Sequence, residues 1–349
     1  MNFEEKIEKV KEEIKDKKIA IAFSGGADSS LIASLAVEVS DNPIAITIDN
    51  GIMPTDFIKN SKKIAEEIGI SHEIVKIDML NIDGFKKNNK NRCYLCREFM
   101  YSKIKEVAAD KGIEIIVDGN NISDLLDDRP GILVTYKKNI LSPLIKAGIE
   151  SDDVTRYLKE NNINYSKSTT CLATRIKTNI ELNTKNINRI SYCENLIHNL
   201  TNAEVVKVRD NNNTAEIEIS DLDSLLNKNK MNLIVNELKA VSFNKIFLNI
   251  TPKEDKKELV VYKPCKDVAD KIMIEKELPY TINIKETSEQ LKILGEVKCS
   301  ETIGVVMLEI NGKNITIFEN GKIVARKVNN IEDGRETLVT VLPLIRRNL

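Results

Sequence analysis

Apolar side chains recur at Phe3, Ile7, Val10 and Ile14, the spacing of one helical face, and predict a helix over 3–16. A short apolar run from Ile19 to Phe23, closed by a glycine pair, reads as a buried strand. The same alternation continues with a helix over 29–40, a strand over 44–48, a helix over 55–69, a strand over 73–77, a helix over 93–111 and a strand over 114–117. Strands alternating with helices in this way predict an α/β fold with a parallel sheet.

The pattern changes after residue 180. A helix over 184–200 precedes strands at 204–209 and 214–219, a helix over 221–240 broken near Asn227 to Lys230, and a strand at 245–250. This predicts a small α+β unit. Thr251 to Glu258, with one proline and six charged residues, reads as a linker. Beyond it, Asn311-Gly312 and Asn320-Gly321 separate β-rich runs, a strong hairpin signal. A last helix fits 331–347. Three units follow: 1–180, 181–255 and 256–349.

Composition narrows the chemistry. The 349 residues carry 52 Lys and Arg against 53 Asp and Glu. The balance is local: residues 1–175 have 26 basic and 28 acidic side chains, residues 176–349 have 26 and 25. Non-specific nucleic-acid binding leaves a basic excess, and none is visible, which argues against a nucleic-acid partner. Two histidines, His72 and His198, leave no His-rich metal site and few candidates for an imidazole base. Six cysteines are too few for a disulfide scaffold, and no apolar run approaches a membrane span, so a reducing, cytoplasmic setting without a membrane partner is expected.

The strongest motif is Ser24-Gly25-Gly26-Ala27-Asp28-Ser29, between a predicted strand and a predicted helix. Paired glycines let backbone N–H groups turn around an anion, and the following helix aims its positive end at it. Ser24 and Ser29 add hydroxyls, and Asp28 is placed to hold Mg²⁺ or to cap the helix. Asp49-Asn50-Gly51 ends the second strand where ligands sit in open α/β sheets, as an adenosine contact or an ordinary turn. Cys93 and Cys96 open a predicted helix, where thiols are acidified, and Cys171 follows in TTCLATR. Three thiolates are a partial ligand set for an iron–sulfur cluster or zinc. Cys193 falls at an apolar helix position, and Cys265 and Cys299 read as simple buried cysteines.

SGGADSS resembles the signature of the PP-loop ATP pyrophosphatases (adenine nucleotide alpha hydrolase-like), which attack the α-phosphorus of ATP and release pyrophosphate. With RCYLCREFMY at 92–101, VDGNNISDLLDDRPG at 117–131, LSPLIKAGI at 141–149 and CLATRI at 171–176, the chain over about 5–250 resembles the LarE family, the PP-loop sulfur transferases of nickel-pincer nucleotide biosynthesis. The resemblance implies ATP bound by Phe23, Ser24, Gly25, Gly26, Asp28, Ser29, Asp49 and Asn50. It implies adenylation of a pyridinium-3,5-dicarboxylate mononucleotide and sulfur transfer to give a thiocarboxylate. Family members either sacrifice the cysteine matching Cys171 or hold a 4Fe-4S cluster on residues matching Cys93, Cys96 and Cys171, with an open iron that carries sulfide. All three cysteines are present, which favours the cluster, with sulfide or a sulfur donor as partner.

The resemblance further implies catalytic roles for Cys171, Asp28 and Arg175. It implies substrate contacts by Ser123, Asp124, Arg129, Arg175, Glu194, Lys207 and Arg209, and a homo-oligomer, a trimer or a hexamer. Lys207 stands where the family usually has Arg, and Asn249 where it often has Asp. The last unit has no counterpart in ordinary members, and a partner-binding, sulfur-delivering or oligomer-capping role is open. A tRNA thiolase, which shares the loop and the cysteines, is the alternative reading.

Overall fold

The computed structural model describes residues 2–167, 169–251, 260–262 and 271–349. The linker expected over 251–258, apart from Thr251, and Cys265 lie outside the described residues.

The first sheet contains β1 (Ile19–Ala22), β2 (Ile44–Asp49), β3 (Ser71–Lys76) and β4 (Ile115–Val117), all parallel, in the order β3-β2-β1-β4. β1 and β2 are near-continuous Ile and Ala because helices cover both faces of a parallel sheet. Helices Phe3–Ile14 and Ala27–Val39 share one core with β1. Helix Arg92–Asp110 packs on the other face through Tyr101, Ile104 and Ala108. The chain turns from one side of β1 to the other between β2 and β4, so the carboxyl ends of β1 and β4 flank a topological switch point, where ligands of open α/β sheets bind.

The second sheet, β5 (Val206–Asp210), β6 (Thr214–Ile219) and β7 (Lys245–Leu248), pairs β5 with β6 antiparallel and β6 with β7 parallel. Helices Thr184–Thr201 and Lys228–Ala240 close over it, with Cys193, Val208, Ile217 and Phe243 in the core. The helix expected from 221 begins instead at Lys228. Asn227 caps it by accepting from the amides of Asn229 and Lys230, so the break in the pattern is a helix start.

The third sheet has the order β10-β11-β12-β13-β9-β8, with β8 (Val260–Tyr262), β9 (Ile272–Glu277), β10 (Glu296–Ser300), β11 (Val305–Ile310), β12 (Lys313–Phe318) and β13 (Lys322–Val328). Both Asn-Gly pairs join its strands as expected. Asn311 and Gly312 both have positive φ, as a tight hairpin turn of primed type requires. The final helix stops at Val341, ahead of Pro343, earlier than its apolar pattern suggests. Helix Ile284–Leu291, unread in the sequence, covers the sheet beside it. Cys299 is exposed on the edge strand β10, against the expectation of burial.

Candidate active site

The nucleotide loop begins where β1 ends. Helix Ala27–Val39 starts within the motif, so Asp28 lies in its first turn and Gly26 occupies the capping position without a side-chain bond. The loop is ordered by its own polar groups. Ser29 Oγ donates to the Gly26 carbonyl at 3.1 Å, the Gly26 amide donates to Ser24 Oγ at 3.2 Å, and the Ser166 amide donates to the Gly25 carbonyl at 2.6 Å. The first amides of a helix have no acceptor within the helix, which is what an anion site draws on.

β4 delivers the other wall. A Cβ at Gly119 would lie 2.8 Å from the Ser29 amide nitrogen and 2.9 Å from the Asp28 carbonyl carbon, so only glycine allows this approach. Next to it, Asp118 is buried and accepts from Tyr101 Oη (2.7 Å), Ser142 Oγ (2.7 Å) and Thr135 Oγ1 (3.1 Å). Arg97 donates to Tyr101 Oη at 2.6 Å and to Asn120 Oδ1 at 2.7 Å, and pairs with Asp118 at 3.4 Å. This hub fixes the helix of Cys93 and Cys96 against the sheet. Sequence reading did not single out Arg97 or Tyr101. The signal available was Asp118, which directly follows β4, much as Asp49 closes β2.

These walls enclose a cavity of about 350 Å³. Of the expected residues, Phe23, Ser24, Gly26, Asp28, Ser29, Cys93, Cys96, Asp124, Arg129 and Cys171 line it. Neither histidine does; His72 is held by Thr47 Oγ1 at 2.8 Å beneath the sheet edge. Asp49 and Asn50 are absent from its lining, and their side chains accept from the Gly51 and Ile52 amides, which shapes the turn. Ser123 accepts from the Ser151 amide at 3.1 Å and faces a neighbouring cleft.

Asp28 is pushed up to about 6 by burial and by the nearby Asp124 carboxylate, against the Asn121 amide that donates to it at 2.7 Å and the Arg129 charge. Asp124 is also raised, by burial first, although Arg129 pairs with it. Two crowded acids that resist ionisation beside a phosphate loop are a donor set suited to a hard divalent cation such as Mg²⁺, which would expel their protons.

Cys93, Cys96 and Cys171 converge on the cavity from two segments. Arg92 ties these together: it donates to the Ala173 carbonyl at 3.1 Å and lies 3.7 Å from Cys93 Sγ. The helix N-terminus does not acidify Cys96. Burial pushes it up to about 12, with Cys171 and Cys93 adding to the rise, and burial raises Cys171 as well, with Cys93 adding to it. Among the described residues no three His, Cys, Asp or Glu side chains close around one ion. Three thiols lining one cavity are, by their chemistry, a donor set that fits a cluster.

The remaining residues lie behind this wall. Arg175 is 4% exposed and donates from Nε to Glu194 Oε1 at 2.7 Å and from Nη1 to Thr170 Oγ1 at 2.5 Å. Glu194 also accepts from the Val208 amide at 3.0 Å. Arg209 pairs with Glu218, and Lys207 lies opposite Glu218 in the β5–β6 register. None of these four side chains lines the cavity. Asn249 donates to Glu216 Oε1 at 2.8 Å.

A model of the PP-loop domain matches residues 1–138. An uncharacterised protein of Methanocaldococcus jannaschii is 32% identical over 242 residues, which take in 69% of this chain and 92% of that protein. An uncharacterised protein of Synechocystis is 29% identical over 57% of this chain and 75% of its own length. The pyridinium-3,5-bisthiocarboxylic acid mononucleotide synthase of Lactiplantibacillus plantarum is 26% identical over 67% of this chain and 86% of its own length. The chain belongs to the LarE family. Like other LarE proteins it is a PP-loop, ATP-dependent sulfurtransferase, and its PP-loop domain binds ATP with Mg²⁺. Among the described residues no helix is long and apolar enough to cross a membrane.

Proposed function

We propose that this LarE protein adenylates a carboxylate of a pyridinium-3,5-dicarboxylate mononucleotide and converts it to a thiocarboxylate. The observation that carries the reading is one cavity shared by the nucleotide loop, Arg129 and three thiols. The loop amides and Ser24 and Ser29 hold the β- and γ-phosphates, and Asp28 and Asp124 hold the Mg²⁺. The substrate carboxylate oxygen attacks the α-phosphorus and pyrophosphate leaves. Attack by sulfide on the carbonyl carbon of the acyl-adenylate then expels AMP. Arg129, 53% exposed at the cavity mouth, steers the anionic substrate.

Cys93, Cys96 and Cys171 would hold a 4Fe-4S cluster, which when bound supplies an iron free to carry sulfide. Binding removes protons that burial otherwise keeps on Cys96 and Cys171. Free cysteines in the described part of the chain suit a reducing cytoplasm. Among the described residues β7 is an edge strand of the second sheet, with Phe247 exposed on it, which supports a homo-oligomer, a trimer or a hexamer, built on the second unit.

Reconstitution with iron and sulfide without oxygen tests the reading. The expected result is cluster absorbance and repeated turnover of the mononucleotide. In Cys171→Ala sulfur transfer falls to background while ATP binding is retained. A colourless protein that loses one sulfur mass at Cys171 per turnover replaces the cluster by a sacrificial cysteine. Pyrophosphate release stimulated by tRNA and not by the mononucleotide overturns the substrate.

A further inference from the structure

The last unit packs on the nucleotide half at 122–136, the stretch that carries Asp124 and Arg129, and again at Glu150, which pairs with Arg335. Leu125 and Ile132 share a core with Leu342 and Ile345. Tyr280 Oη donates to the Leu125 carbonyl at 2.7 Å. Arg347 pairs with Asp128, the neighbour of Arg129, at 2.7 Å, and its guanidinium lies 4.6 Å above the Tyr280 ring. Arg346 lies 3.9 Å over the ring of Tyr136. Arg347 and Arg129 also border one small cavity of about 20 Å³, and Arg347 Nη1 is buried without a hydrogen-bond partner among the described residues. A void of that size has room for one water, which would satisfy the nitrogen.

We propose that Tyr280 and Arg347 are positioning residues that brace the 124–129 segment from outside the PP-loop domain, so that Arg129 meets the acceptor already oriented. A half-exposed arginine on an irregular segment loses rotamer freedom on binding, and bracing the backbone beneath it lowers that cost. Asp124 and Arg129 line the catalytic cavity too, so displacement of the segment reaches the site directly. The inference rests on the reading of Arg129 as an acceptor contact.

The test is steady-state kinetics of the reconstituted full chain with the mononucleotide, beside hydrogen exchange of the 124–131 amides. Arg347→Ala raises the acceptor KM about tenfold and the KM for ATP by a smaller factor through Asp124, within the roughly hundredfold that a small misplacement far from the chemistry can cost. Arg347→Lys restores part of the affinity. Asp128→Asn, at an exposed position, gives a similar rise, and the double variant is no worse than Arg347→Ala alone. Exchange at 124–131 rises in Arg347→Ala. A lowered melting temperature with unchanged KM and unchanged exchange overturns the brace. Arg129→Ala is the control: if it leaves the acceptor KM unchanged, the reading of Arg129 fails. If wild-type protein does not turn over the mononucleotide, the substrate reading fails and the exchange measurement decides the brace alone.

Discussion

Arg129 and Arg175 each follow closely on a residue placed for chemistry, Asp124 and Cys171, yet the fold uses the two stretches in opposite ways. Arg175 is sealed between Glu194 and Thr170 and joins the Cys171 segment to helix Thr184–Thr201. Arg129 stands half in solvent at the cavity mouth, with Asp124 buried at its root. A guanidinium whose donors are already engaged in a buried pair acts as a strut. One with donors turned toward water remains available to a ligand.

Breaking the strut has the largest expected effect. Glu194→Ala leaves a buried charge without its partner and removes the acceptor of the Val208 amide. We expect a loss of about 3–5 kcal/mol, read by denaturant unfolding, as for a broken buried pair. A loss under about 1 kcal/mol, with sulfur transfer abolished, would move Arg175 back among the residues that meet substrate. Arg129→Ala is the converse. Stability falls by less than in Glu194→Ala, since only the Asp124 half of the pair is buried and burial already favours its protonated form, while kcat/KM for the acceptor falls by about tenfold or more. An unchanged kcat/KM removes the distinction between the two arginines.

The smallest effect is electrostatic. Asp28, at about 6, lies above the ordinary carboxylate value of 3.8, with burial as the first cause and Arg129 opposing it. A folded value raised in this direction gives stability that is present below about pH 4 and lost as pH rises through about 6. Arg129→Ala moves that loss to higher pH, whereas a change at Arg175 leaves it in place, because Arg175 contributes nothing to the shift at Asp28. Thermal melts from pH 4 to 7, with Asp28→Asn as the baseline, check both statements.

The nucleotide loop and its sheet were legible because their determinants are local: apolar runs, a glycine pair, and a helix that begins beside them. The convergence of Cys93, Cys96 and Cys171 was legible through resemblance, since their spacing alone fits several chemistries. The fate of Arg175 was not, because its burial is decided by Glu194, which reaches it from another helix. The acidity of Cys96 was misread for a related reason. A helix N-terminus is a local signal, and the burial that outweighs it comes from packing across the chain. The same holds for Cys299, since pairing across the sheet and not its neighbours in sequence makes β10 an edge. The grip of the last unit on the 122–136 stretch joins residues more than 150 positions apart, beyond any periodicity.

Arg92 links the helix of Cys93 and Cys96 to the backbone at Ala173, two residues beyond Cys171. The two thiol-bearing segments are therefore joined by an organic tether of the chain's own. In small zinc domains the metal is the folding nucleus, and chelation unravels the chain. Here emptying and refilling the thiols is a change of cargo within a standing frame. Unloaded and loaded protein should share one cooperative unfolding transition and one hydrodynamic radius, so that damage to the centre by oxygen is repaired by reloading without a round of refolding.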